Sequence, residues 1–239
     1  MRALLMCEVR RLLRLPRFLI FTAGLPLVYF LLFSGIYAPD GGETVVVLMA
    51  MMAAFGAISA SISVGGRVAN ERHIGWNRQL RLTPLPGWGY LAVKAATAML
   101  VVLPALLLVF GVAAVVKGVD LGVGTWLAVL LTAWLSVLPF AAVGLLIGMA
   151  ATPDSAQSTS TVVMLLFSIL GGVLIPGQVL PAALASAARF LPSYWIVAET
   201  LGQVSGAGLD AGGVLVLLAW LVAVGALVIV RYRRDALRV

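Results

Sequence analysis

The chain has 239 residues, 62% of them hydrophobic and only 10% charged, with a mean hydropathy of +1.11. Soluble domains average about 45–50% apolar and about 25% charged residues, so a soluble class is excluded and a polytopic, all-α integral membrane protein is implied. The net charge of +7 is read as basic flanks of membrane spans rather than a nucleic-acid surface, because no basic patch is interleaved with aromatics.

Residues 1–16 form the first predicted element. Leu5, Val9 and Leu12 share one helical face and Arg10, Arg14 and Arg17 another. That pattern suits an amphipathic helix among lipid headgroups; a plain basic flank that sets orientation is the alternative. The following apolar run has full span length and no A-x-A site follows, so the leader is read as retained.

Six spans are predicted, at 18–37, 44–64, 88–116, 125–150, 157–174 and 211–230. About 20 helical residues cross a hydrocarbon core of about 30 Å. Pro26, Pro104 and Pro139 fall inside spans, where neighbouring helices satisfy the freed carbonyls. The second span ends in small and hydroxylated residues, Ser59, Ser61 and Ser63, and Gly65-Gly66 is expected to loosen the helix there. A polar, basic insert at 67–87 interrupts the apolar pattern. Lys94, just beyond it, is expected to snorkel to the near interface. Asp154 or Ser155 is expected to cap the fifth span.

The stretch 175–208 differs from the rest. Pro176, Pro181 and Pro192 punctuate it, and its apolar piece at 179–191 is too short to cross. A re-entrant or interfacial element is expected, with Tyr194-Trp195 in an aromatic belt. With a cytoplasmic N-terminus, 14 of the 16 Lys and Arg residues fall on the cytoplasmic side and only Lys117 and Arg189 outside. Both termini and the insert are therefore predicted to be cytoplasmic.

Several chemistries find no residues. Cys7 is the only cysteine and His73 the only histidine, which excludes an intrachain disulfide, a cysteine metal cluster and a paired-histidine metal site. No G-x-x-x-x-G-K-[ST] loop occurs. No charge sits in the middle of a span, where ion-coupled carriers place one, and no inverted repeat is evident. An autonomous carrier or channel, or a membrane enzyme, remains the rival reading.

The insert carries Glu71-Arg-His-Ile-Gly75, then Leu80, then Thr83-Pro84, with Lys94 opening the next span. Leu170-Gly-Gly-Val-Leu-Ile-Pro176, Leu180-Pro181 and Phe190-Leu-Pro192-Ser-Tyr194 follow the fifth span. In order and spacing both segments resemble those of type-2 ABC exporter permeases, with Trp76 and Asn77 departing from the usual pattern.

The resemblance implies a single permease domain over 1–239, with the insert as a coupling helix. It implies a partner, an ABC ATPase in two copies, which binds ATP and Mg²⁺; no cofactor is expected in this chain. It further implies a second permease copy, as homodimer or related heterodimer. Contacts to the ATPase are then expected from Glu71, Arg72, Ile74, Gly75, Arg78 and Leu80, with Glu71 either reaching the partner or pairing locally with Arg67 or Arg78. A substrate path is expected to use Met49, Met52, Phe55, Ser59, Thr159 and Phe167. An external gate is expected to use Pro176, Pro181, Pro192 and Tyr194. The exported compound would be hydrophobic or amphiphilic: a drug-like compound, a lipid or a lipid-linked glycan.

Overall fold

A computed structural model describes residues 5–6, 8, 16–76, 89–175 and 181–237. Its elements are α1 (Pro16–Tyr37), α2 (Glu43–Ile62), α3 (Val64–His73), α4 (Gly89–Val115), α5 (Val123–Leu135), α6 (Leu138–Ala150), α7 (Pro153–Leu170), α8 (Ala182–Ala188), α9 (Pro192–Ser205) and α10 (Ala211–Leu237). The all-α membrane class stands. Among the described residues, four stretches are long and apolar enough to cross a membrane: Glu43–His73, Gly89–Val115, Val123–Ala150 and Ala211–Arg234. Thr22–Tyr37 is a shorter apolar helix. α7 falls short because its first turns carry Asp154, Ser155, Gln157, Ser158 and Thr159.

α2 is the axis of the bundle. It packs most closely against α4 and α1, and Met49, Met52, Ala54 and Ile58 along it are fully buried. In lipid there is little hydrophobic drive between helices, so close approach of backbones and interhelical hydrogen bonds decide which helices meet. Two glycine contacts show this. A Cβ on Gly56 would lie 2.9 Å from Pro26 Cγ, so this glycine admits the proline of α1. Farther along, Gly144-x-x-x-Gly148 of α6 crosses the start of α3. A Cβ on Gly148 would lie 2.6 Å from both Gly65 O and Val68 Cβ, and one on Gly65 would lie 2.5 Å from Gly144 O. Gly65 therefore serves a tight crossing rather than a loosened helix. The backbone turns only slightly at Ser63 and continues as α3 to His73, well past the predicted end of the second span. Ser61 and Ser63 donate back to the carbonyls of Ile58 and Ala60, at 3.0 and 2.7 Å.

The predicted fourth span is two helices. α5 ends at Leu135, Ser136 and Val137 form the break, and Pro139 lies in the first turn of α6, where its missing N–H costs nothing. α5 packs chiefly on α9, whereas α6 packs on α3 and α10. Indoles pin the joints: Trp134 Nε1 donates to Met99 O at 2.9 Å, and Trp220 Nε1 to Phe190 O at 2.8 Å. α7 is capped by Thr152, not by the expected Asp154 or Ser155. The Thr152 and Ser155 side chains each bond the other's backbone N–H in a reciprocal box. α10 lies at the periphery: 17% of its apolar stretch is buried, against 83% for Glu43–His73.

Candidate functional site

The polar insert begins as a continuation of α2, so its first residues are held on a rigid helix. α3 lies against α6 and α7 and ends at Gly75, whose φ of +74° is a left-handed conformation that suits glycine. Ile74 N–H donates to Asn70 O at 3.1 Å and Gly75 N–H to Arg72 O at 3.2 Å, which satisfies the last carbonyls of the helix. At the tip Ile74 is 62% and Trp76 37% exposed. Two apolar side chains thus project from the end of a fixed helix.

One turn back, the same helix reaches inward. Glu71 is 4% exposed, and its Oε1 accepts from Lys94 Nζ of α4 at 2.6 Å. Lys94 is 1% exposed and donates a second bond, at 2.7 Å, to Glu8 Oε1 from the N-terminal segment. Tyr90, one turn before Lys94, donates its hydroxyl to Glu71 Oε2 at 3.0 Å. Its ring stacks on Tyr232 of α10, with centroids 6.3 Å apart. Four segments that lie far apart in the chain are therefore joined by one buried ionic cluster. Buried charges persist only when paired and hydrogen-bonded, and charge-assisted bonds of this length are the strong ones. Arg72 also turns inward, donating to Gly148 O at 3.2 Å in the last turn of α6, where the helix dipole favours a cation.

These positions revise several expectations. Lys94 does not snorkel: two carboxylates within hydrogen-bond reach make the interior a better place for its charge than the interface. Glu71 pairs with Lys94 and Tyr90, two partners that the sequence reading did not name. Glu71 and Arg72 face the bundle, while Ile74, Gly75 and Trp76 form the tip. Arg78 and Leu80 lie outside the described residues, as does Pro176, and as does most of the predicted interfacial helix.

The predicted path residues lie in different settings. Met49, Met52 and Phe55 are buried in α2 and Ser59 is half-buried there, while Thr159 faces outward on α7. Phe167 is wedged edge-on between Phe140 and Trp220, with centroids 5.2 and 5.4 Å away. In the predicted gate Pro181 is exposed at the start of α8, Pro192 is buried in the first turn of α9, and Tyr194 stands edge-on to Trp195 at 5.1 Å. The residues that sequence reasoning missed are Glu8, Tyr90 and Trp76. A lysine six positions into an apolar helix was the available signal for the first two.

Residues 1–201 match the family model for the ABC-2 type transporter. The chain belongs to the ABC-2 type transporter family. A protein of Bacillus subtilis (strain 168), named "Putative transport permease YvfS", is 27% identical over 218 residues, covering 90% of this chain and 89% of that one. The ABC-2 chain is thus a multi-pass membrane permease of an ABC transporter, a complex that includes an ATPase partner.

Proposed function

We propose that this permease is the membrane half of an ATP-driven exporter of hydrophobic or amphiphilic compounds, and that the end of α3 receives the push. The observation that carries the proposal is the pairing of an exposed apolar tip, Ile74–Trp76, with a buried tie one turn away, Glu71–Lys94–Glu8. The tip fits a cleft on a separate ATPase subunit. The tie delivers its displacement to α4 and the N-terminal segment, Tyr90 passes it to α10 through Tyr232, and Arg72 passes it to α6. ATP and Mg²⁺ reside in the ATPase, two copies of which serve two permeases, alike or related. The lysine and arginine distribution supports a cell-membrane protein with both termini cytoplasmic. The outward face of α7, with Val162, Leu165 and Leu166 exposed, is the surface offered to the second permease.

The test is reconstitution in vesicles with and without a candidate ATPase. Trp76→Ala should insert and unfold like the parent, yet lose stimulation of ATP hydrolysis and transport. Robust ATP-independent transport by this chain alone would overturn the exporter reading. Normal coupling in Trp76→Ala together with Ile74→Ala would overturn the docking role.

A further inference from the structure

The end of the bundle away from Glu71 holds a second buried carboxylate that the coupling scheme does not use. α10 runs from Asp210, beside this carboxylate, to Tyr232, beside Glu71; 22 residues of helix put the two sites about 33 Å apart. Glu199 of α9 is 2% exposed. Its Oε2 accepts from Asp210 N–H at 3.1 Å, and its Oε1 has no hydrogen-bond partner among the described residues. Gly213 makes room for it: a Cβ there would overlap both Glu199 Oε1 and the Trp195 ring. Asp210 itself caps α10, accepting from Gly212 N–H at 2.6 Å and Gly213 N–H at 3.3 Å. Among the described residues no ion pair offsets Glu199, and a buried charge left so is costly.

Glu199 lines a cavity of about 500 Å³ together with Asp210, Arg189, Tyr194 and Trp195. Two carboxylates and two aromatic rings face one exposed guanidinium, a set that favours an ammonium group and leaves Arg189 for any anion it carries. An apolar groove on the outer face of α10 lies beside this cavity, and Leu209 lines both. Leu209, Leu215, Leu218 and Val222 of that groove are all more than half exposed. From Leu209 to Val222 the groove is about 20 Å long, longer than the roughly 15 Å that the chains of one leaflet occupy.

We infer that these adjoining surfaces bind an amphiphile with an ammonium headgroup: the headgroup in the Glu199–Asp210 cavity, the hydrocarbon chain along α10. A buried carboxylate oxygen without a partner among the described residues, next to a chain-length apolar groove that shares Leu209 with its cavity, selects this occupant over a second copy of the permease, whose cover of the groove would not by itself offset the carboxylate. The inference requires only that the chain lie in a membrane; it stands whether or not the chain exports anything.

The test uses the purified full chain in detergent, with dodecylamine, dodecanol, dodecyl phosphate and ethylamine as probes, read by native mass spectrometry and by competition. Dodecylamine should bind more tightly than dodecanol or dodecyl phosphate, and ethylamine, without a chain, far more weakly. Glu199→Gln, which keeps the shape and the bond from Asp210, should weaken dodecylamine about 10- to 100-fold and leave dodecanol unchanged. Leu218→Trp, on the outer face of the groove, should weaken dodecylamine and dodecanol alike without altering the unfolding temperature. Equal binding of dodecylamine and dodecanol would overturn the inference, as would an unchanged dodecylamine affinity in Glu199→Gln; either result assigns Glu199 a proton instead of a ligand. Protection of the groove only on dimerisation would assign it to a second copy and also overturn the inference.

Discussion

Replacing Lys94 by Met tests the tie at its centre. Methionine keeps most of the volume and removes the charge. Glu71 and Glu8, 4% and 6% exposed, are then left together without the ammonium that bridged them at 2.6 and 2.7 Å. Removing one partner of a buried pair costs about 3–5 kcal/mol, because the surviving charge stays desolvated. For a domain of this size 1 kcal/mol moves the unfolding temperature by about 2–4 °C, so Lys94→Met should lose roughly 6–20 °C in a detergent thermal-unfolding assay. Adding Glu8→Gln and Glu71→Gln should recover most of that loss, since neutral groups of the same shape carry no charge to desolvate. The triple variant should nonetheless transport poorly, because the neutral cluster holds α3, α4 and the N-terminal segment together less firmly. An exposed pair is worth only about 0–1 kcal/mol. A Lys94→Met variant within about 3 °C of the parent, with no recovery in the triple variant, would refute the reasoning.

Gly148→Leu should abolish monodisperse protein, because the added side chain meets the Gly65 carbonyl and Val68 at the crossing; overpacking costs about 1–3 kcal/mol and more where backbone cannot yield. Gly111→Leu, where nothing lies within 4 Å, is the control and should be tolerated. Trp220→Phe keeps the ring against Phe167 but removes the bond to Phe190 O, and should cost about 1 kcal/mol, read as a small drop in unfolding temperature. Burial holds the Glu199 carboxyl above its ordinary value of 4.5, against the lowering effect of the Asp210 N–H and with the Asp210 charge adding to the rise. The folded state then keeps this proton to higher pH than the unfolded state does. Stability should therefore fall as pH rises from about 4.5 through the raised value, and Glu199→Gln should flatten that slope in thermal melts across pH. Asp210, Arg189 and Tyr194 line the same cavity and are left intact in this comparison.

Apolar runs and turn residues were enough to place most helices, because a helix in lipid must satisfy its own backbone and therefore announces itself by length and composition. The insert likewise stood out, since nothing apolar explains Arg67 to Arg81. What a local pattern cannot carry is partnership across the chain. Lys94 looked like a residue bound for the interface because its partners stand 23 and 86 positions away. Pro139 is internal to the Val123–Ala150 stretch as expected, but the turn at Ser136–Val137, which places it in the first turn of a second helical segment, was not legible. The close crossing of Gly144-x-x-x-Gly148 with Gly65 was not read from the sequence, because the two lie on helices about 80 positions apart whose meeting only the fold supplies. Glu199 was hidden in the same way: one acid in a mixed segment has no periodicity, and only the fold brings Asp210 and Gly213 against it.

The interruption at Ser136–Val137 divides the molecule along an unexpected line. The helix before it belongs with α9, and the helix after it belongs with α3 and α10. The helix contacts therefore group the chain into two storeys along the bundle, not by neighbourhood in sequence. Under the proposed coupling, a stroke begun at Trp76 would be taken up by the lower storey. The upper storey, where Glu199 sits, would follow through the joint at Ser136 and through the helices that run between the storeys, α2, α4 and α10.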